Sequence, residues 1–180
     1  MDVVETDIKD LLIIKPRVFE DDRGYFFESY NRKNFIEKGI PVDFVQDNES
    51  CSGKHVLRGL HFQHPPYAQG KLVRVMQGAV LDVAVDLRRH SPTYGKWASI
   101  VLSEENKWMY WIPEGFAHGF LTLAERTVFF YKCTNVYNKD SEGAIRWDDP
   151  TLNIRWDVKN PVLSAKDQTA PLFENFKTPF

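Results

Sequence analysis

The sequence predicts an all-β fold, an antiparallel sandwich or barrel with two short peripheral helices. Its apolar stretches are short and recur at near-regular spacing. They are rich in β-branched and aromatic residues, and Gly, Pro, Asp and Asn separate them. Helical periodicity is scarce, so few crossover helices are left with which to build parallel βαβ units. No internal repeat, low-complexity tract or linker divides the chain, and residues 1–180 are expected to form one domain.

In chain order the strand candidates begin with LLII (11 to 14) and YFFESY (25 to 30). NRKNFIEKG (31 to 39) follows as a short helix, because Asn31 can accept the free N–H groups of its first turn and Gly39 suits the position just past its end. VDFVQD (42 to 47) and VLRGLHFQ (56 to 63) come next. The strongest period-2 signal runs from Lys71 to Leu87, where KLVRVM and AVLDVAVDL flank Gln77-Gly78 in the manner of a hairpin. In its second arm Leu81, Val83, Val85 and Leu87 share one face, with Asp82 and Asp86 on the other. WASIVL (97 to 102), WMYWI (108 to 112) and TVFFYKCTNVY (127 to 137) complete the strands, and SAKDQTAPLFENF (164 to 176) reads as a second helix. In TVFFYKC strict alternation puts Thr127, Phe129, Tyr131 and Cys133 on one face and Val128, Phe130 and Lys132 on the other.

Composition narrows the function. Lys+Arg 23 against Asp+Glu 25 leaves a net charge of −2, without the basic field that general nucleic-acid or anionic-membrane binding draws on. Thirteen Phe, 7 Tyr and 5 Trp supply the large side chains of a packed core. Cys51 and Cys133 form neither a CxxC pair nor a metal-ligand cluster, so a reducing, cytoplasmic setting and no metal site are expected. The start, MDVVETDIKD, lacks the features of a secretory or transit peptide, and no apolar run approaches membrane-spanning length.

A barrel takes small ligands at its mouth, so polar residues pointing inward from strands are the functional candidates. Phe44, Gln46 and Asn48 share a face in FVQDN and read as a ligand wall, against the plainer reading of a solvated edge. Arg58 and His61 interrupt an apolar run, Lys71 heads the following strand, and His118 lies in GFAHGF. A lone strand histidine is usually a satisfied core or rim residue; the company of Arg58, Lys71 and His118 argues for a site. Period 2 sets Arg58 and His61 on opposite faces, unless Gly59 marks a bulge that shifts the phase and lets both reach one cavity.

Long stretches resemble the dTDP-4-dehydrorhamnose 3,5-epimerase family in the family's order. They are VFEDDRGYFFESY (18 to 30), FVQDNES (44 to 50), VLRGLHFQHPPYAQGKLVRVMQGAVLDVAVDLRRHSPTYGKW (56 to 97), WIPEGFAHGF (111 to 120), FFYKCTNVYNKDSEGAIRWDDP (129 to 150) and LSAKDQTAP (163 to 171). The resemblance implies a cupin-type jelly roll, homodimeric and cofactor-independent, acting on a nucleotide sugar in dTDP-L-rhamnose synthesis. By position it implies His61 as base, Asp167 as the carboxylate paired with it, Tyr131 as general acid and Lys71 near the substrate carbonyl. Arg23, Glu28, Gln46, Asn48, Arg58, His118, Glu142 and Lys166 would bind substrate; apart from the resemblance, Phe26 or Phe19, both close to Arg23, offers a flat ring on which thymine can stack, against the plainer reading of core packing.

The chemistry calls for these residue types. Carbons 3 and 5 of the sugar flank a ketone, so a base titrating near neutrality can remove either proton and leave an enolate. A carboxylate on the far nitrogen of that histidine fixes its tautomer, a cation steadies the enolate oxygen, and an acid on the opposite face returns the proton inverted. Guanidinium forks such as those of Arg23 and Arg58 suit a diphosphate. Three alternatives stand beside this reading. A single-site epimerase would share the same motifs. A metal-dependent cupin oxygenase would want an HxH pair, which the histidines at 55, 61, 64, 90 and 118 do not form. A non-catalytic sugar-nucleotide module would not need His61, Asp167 and Tyr131 together.

Overall fold

A computed structural model describes all residues, 1–180. Its strands are β1 (Asp2–Glu5), β2 (Leu12–Lys15), β3 (Phe19–Asp21), β4 (Gly24–Phe26), β5 (Gln46–Ser52), β6 (Leu57–Gln63), β7 (Lys71–Gln77), β8 (Ala79–Asp86), β9 (Trp97–Ser103), β10 (Met109–Ile112), β11 (Phe116–Thr122), β12 (Thr127–Cys133) and β13 (Glu142–Ala144). They form a six-stranded antiparallel sheet in the order β1-β2-β10-β7-β12-β5, facing a five-stranded one in the order β13-β6-β11-β8-β9; β3 and β4 make a separate hairpin. The result is a cupin-like jelly-roll barrel.

Alternation along the strands fills the space between the sheets. Val73 and Val75 of β7, Tyr110 and Ile112 of β10 and Phe129 of β12 meet Val80 and Ala84 of β8, Ile100 and Leu102 of β9, and Phe116 and Phe120 of β11. The residues between these face outward and are covered in turn. On the six-stranded sheet Ile14, Leu72, Met109 and Trp111 pack under Phe35 and Ile40 of the helical segment. On the five-stranded sheet Leu57, Leu60, Phe62, Val83 and Val85 pack under the C-terminal residues, among them Ile145, Leu152 and Trp156. That C-terminal stretch is tied down by Trp97 Nε1–H donating to Leu152 O at 2.8 Å and by Phe173 N–H donating to Asp149 Oδ2 at 2.8 Å. No helix is long and apolar enough to cross a membrane.

Several expectations need correction. Lys71–Leu87 is not a hairpin: β7 pairs with β10 and β12, whereas β8 pairs with β11 and β9. Gly78, at φ +79, turns the chain between the two sheets. Both faces of β8 are buried, the Leu81–Val85 face under the C-terminal segment and the Asp82 face inside the barrel. Residues 27–30 and 42–45 are not strand, and Phe44 packs edge-on against Tyr30 and Trp111 in the outer cluster instead of sharing a wall with Gln46. The second helix is one turn, α2 (Ala165–Gln168), followed after Pro171 by a 3-10 turn (Phe173–Asn175), because proline cannot continue a helix. The first helix, α1 (Arg32–Glu37), is as expected, with Asn31 Oδ1 accepting from Lys33 N–H and Asn34 N–H. Unforeseen strands are β1, β3, β11 and β13; β11 is punctuated by Gly115 and Gly119, which hid it.

The bulge at Gly59 is present. His61 pairs with His118 and Arg58 with Phe120, so three steps on β6 match two on β11. Leu57, Leu60 and Phe62 consequently face outward, while Arg58 and His61 lie on the same side. Gly59 has φ +143, and an added Cβ there would sit 2.5 Å from Gly119 Cα. Gly59→Ala is expected to destabilise the protein by about 3 kcal/mol from backbone strain and overpacking together. Thermal melting should register a drop of roughly 6–12 °C; a change under ~2 °C would show that the bulge tolerates a side chain.

Candidate active site

A cavity of about 280 Å³ opens between the sheets, lined among others by Gln46, Asn48, His61, Lys71, Tyr131 and Glu142. Each lining side chain comes from an inward position near the open edge of the barrel: Gln46 and Asn48 from β5, His61 from β6, Lys71 from β7, Tyr131 from β12 and Glu142 from β13. The register Cys133↔Lys71 and Tyr131↔Asn48 sets these side by side across the sheet. The inward phase expected for Tyr131 holds, since Thr127, Phe129 and Cys133 on the same face are buried.

Asp167 reaches His61 from outside the sheets. It belongs to α2, where Ser164 Oγ accepts the Asp167 N–H at 3.1 Å, and its carboxylate Oδ1 lies 2.5 Å from His61 Nε2. Burial by itself would push the Asp167 carboxyl up; hydrogen bonding to His61, His61's charge, Ser164 and Lys166 outweigh it and hold the group below the ordinary carboxylate range. An ionised Asp167 on Nε2 makes that nitrogen the N–H and leaves Nδ1 as the basic one. Burial pushes the Tyr131 phenol up, with Cys133 adding to the shift and Arg58 opposing it, so the phenol keeps its proton at neutral pH. Lys71 is lowered by burial, while Cys133 and Asp82 push it back up.

The other candidate residues are distributed differently. Arg58 is exposed and does not line the cavity, its Nε and Nη2 donating to Ser52 Oγ at 3.3 and 3.1 Å. Lys166 pairs with Glu142, linking α2 to the cavity edge. His118 is behind the cavity wall, buried, with Nε2 at 3.0 Å from both oxygens of Asp82. Arg23, Phe26 and Glu28 do not reach the cavity of their own chain. Arg23 is bound to Asp21, Glu28 holds Asn31 and Asn34, and the β3–β4 hairpin carries Phe26 out into solvent, 71% exposed. Beside that hairpin Phe27 stacks under Arg74, on the outer face of the six-stranded sheet.

Tyr137, Gln63 and Gln69 also line the cavity, and the sequence reading passed over them. Gln63 Nε2–H donates to Val136 O at 3.1 Å and its Oε1 accepts from Asn138 N–H at 2.8 Å, while Gln46 Oε1 accepts from Tyr137 N–H at 2.8 Å. Two glutamines thus hold the backbone on either side of an aromatic ring that remains 54% exposed at the cavity. The signal was the aromatic at the end of TVFFYKCTNVY, which a longer strand assignment absorbed. Nowhere do three or more His, Cys, Asp or Glu side chains converge as metal ligands would.

A jelly roll that sets a histidine–carboxylate pair, a tyrosine and a lysine around one polar cavity is a cupin-like barrel built for acid–base chemistry. The sequence model of the dTDP-4-dehydrorhamnose 3,5-epimerase family matches residues 5–175. A dTDP-4-dehydrorhamnose 3,5-epimerase of Salmonella typhimurium is 57% identical over 176 residues, 97% of this chain and 96% of the relative. Among solved structures, a dTDP-6-deoxy-D-glucose-3,5-epimerase from Legionella pneumophila in complex with dTDP-4-keto-L-rhamnose is similar at TM-score 0.94 and 48% identity, covering 98% of this chain and 94% of that one. A dTDP-4-dehydrorhamnose 3,5-epimerase from Bacillus anthracis with TDP and PPi bound is similar at TM-score 0.94 and 47% identity, covering 96% and 99%. The chain belongs to the dTDP-4-dehydrorhamnose 3,5-epimerase family, and so to the epimerases among the isomerases.

Proposed function

We propose that this chain converts dTDP-4-dehydro-6-deoxy-D-glucose to dTDP-4-dehydro-L-rhamnose by inverting carbons 3 and 5, the step that commits the sugar to dTDP-L-rhamnose. The observation that carries the reading is the His61–Asp167 pair at a cavity that Tyr131 and Lys71 also line. His61 Nδ1 removes the proton next to the ketone, and Asp167 stabilises the imidazolium that forms. The electron pair moves onto the ketone oxygen, where the Lys71 ammonium offsets the charge in a partly dry site. Tyr131 returns a proton to the opposite face, and the inverted centre results. The reaction moves protons alone, with no net oxidation, so these side chains suffice without a cofactor.

Binding follows the same geometry. Gln46 and Asn48 offer amides along one wall, and Lys166 at the cavity edge, with Arg58 outside it, brings positive charge for the diphosphate. The exposed ring of Tyr137, fixed by Gln46 and Gln63, suits stacking on the flat base better than Phe26 does within one chain. Arg23, Phe26 and Glu28 can serve a cavity only if it belongs to a second copy, which supports a homodimer whose β3–β4 hairpin reaches its partner. The absence of a membrane-spanning helix suits a cytoplasmic enzyme.

Incubation with dTDP-4-dehydro-6-deoxy-D-glucose in deuterated water tests the reading by mass and NMR analysis of the sugar. Deuterium is expected at both carbon 3 and carbon 5. Label at one carbon would make the chain a single-site epimerase, and none at either would exclude the activity.

A further inference from the structure

Four carboxylates are buried, those of Asp82, Asp86, Asp149 and Asp167, and three have partners that explain them. Asp86 is forked by Arg88 and bonded by Ser91 and Thr93. Asp149 accepts from the backbone N–H groups of Thr151, Leu152 and Phe173, and Asp167 is paired with His61. Asp82, wholly enclosed, has one partner, a His118 Nε2 that lies 3.0 Å from each oxygen. One N–H is a small return for burying a full negative charge, whose desolvation costs several kcal/mol. A cation in the interior facing Asp82 would offset that cost.

The interior supplies one. Lys71 opens β7 on the face it shares with Val73 and Val75, and Asp82 lies on β8 on the face it shares with Val80 and Ala84; these two faces form the barrel core. The side chains do not touch: the hydrogen-bond partner of Asp82 is His118, and Lys71 forms no ion pair. Other titratable groups around Lys71 leave the role open. On β12, Cys133 and Tyr131 are both pushed up and stay neutral, and on β10 the Tyr110 phenol, pushed up by burial and by Asp82, is neutral with its hydroxyl unpartnered. On β6 His61 is taken by Asp167, on β11 His118 by Asp82, and on β13 Glu142 by Lys166.

We propose that Asp82 is a positioning residue for catalysis: its buried carboxylate, oriented by the His118 N–H, is the counter-ion that keeps Lys71 an ammonium at the cavity wall. The inference rests on the role given to Lys71 above. Lys71⁺ and Asp82⁻ then offset each other in the barrel interior, an arrangement that low-dielectric surroundings favour over either charge alone. The two charges also feel each other in the expected sense. Burial lowers Lys71, and Cys133 first and then Asp82 raise it again; burial raises Asp82, and His118 and Lys71 pull it back. His118, which the family resemblance places with the substrate, acts in this arrangement through Asp82 and Lys71.

Asp82→Asn keeps the shape and the His118 contact while removing the charge. The high-pH limb of the kcat profile, where Lys71 loses its proton, is expected to move down by about one pH unit or more, the effect of removing one opposite charge from the barrel interior at an intermediate dielectric. Turnover on the high-pH side of that limb should fall by up to about 10-fold for each unit the limb moves, with KM and the low-pH limb unchanged. A purely structural Asp82 would lower the melting temperature and leave the limb in place, which overturns the proposal. Should Asp82→Asn fail to fold, ¹³C-carboxyl and ¹⁵Nζ titration of the wild-type enzyme decides: Asp82 ionised and Lys71 charged at pH 7 support the proposal, and Asp82 protonated at pH 7 overturns it. Lys71→Met separates the two levels. Wild-type turnover in that variant would remove the lysine from the mechanism altogether, whereas an essential Lys71 with an unmoved limb in Asp82→Asn removes only the role of Asp82.

Discussion

His61→Asn is expected to lose deuterium incorporation at both carbon 3 and carbon 5, with turnover falling about 10³-fold or more, near the upper part of the range for removing a general base. The residue keeps hydrogen-bonding capacity toward Asp167 but has no basic nitrogen, so the packing of α2 against β6 should survive. Affinity for dTDP should stay within about 3-fold, because the imidazole acts on the sugar and the diphosphate contacts lie with other side chains. Isotope exchange and calorimetric titration with dTDP on the same preparation separate the two effects. Exchange at a normal rate would take His61 out of the base role; a collapse of dTDP binding would make it a ligand-holding residue. Asp167→Asn should be impaired as well. A neutral amide neither fixes the Nε2–H tautomer nor stabilises the imidazolium, even though the 2.5 Å contact could persist as a weaker hydrogen bond.

Tyr131→Phe is the second large effect, and its signature differs in kind. The ring and its packing beside Phe129 remain, while the proton donor is lost. His61 can still remove and return a proton on its own face, so solvent exchange should continue while inversion drops by about 10²-fold or more. The hydroxyl makes no hydrogen bond to protein that its removal would break, unlike the buried tyrosine whose hydroxyl serves stability, and the melting temperature should therefore change little. Product configuration and melting temperature measured on one sample distinguish the cases. Full inversion at the wild-type rate would end the acid role, and loss of exchange together with inversion would point to a tyrosine that acts in proton removal instead.

Much of the site was legible because strand alternation is local. The period-2 pattern of TVFFYKC placed Tyr131 and Cys133 on one face, and Gln46 and Asn48 two residues apart had to share a wall. The glycine inside LRGLHFQ was readable as a bulge because a residue at φ +143 pressed against Gly119 has room for nothing larger. Asn31 and Gly39 delimited α1 by the hydrogen-bonding needs of helix ends, which are equally local. The motifs of the family then carried the reaction, which no periodicity encodes.

The tertiary structure decided which faces are inside. Lys71 to Leu87 has the pattern of a hairpin, yet its two arms join different sheets, because pairing is settled by which distant strands complete each sheet: β10 and β12 for one arm, β11 and β9 for the other. That choice turned Asp82 into the barrel and set the apolar face of β8 under the C-terminal segment. The β3–β4 hairpin, which joins neither large sheet, leaves Phe26 in solvent and outside the cavity of its own chain, whereas its neighbourhood to Arg23 had suggested a ring for the base. Asp167 lies 106 positions from His61, and only the C-terminal segment closing around the five-stranded sheet brings them to 2.5 Å. Sequence by itself determined the local phase of each strand, since that depends on neighbours two residues away; the pairing of phases into one site depended on contacts between residues far apart in the chain, where alternation carries no information.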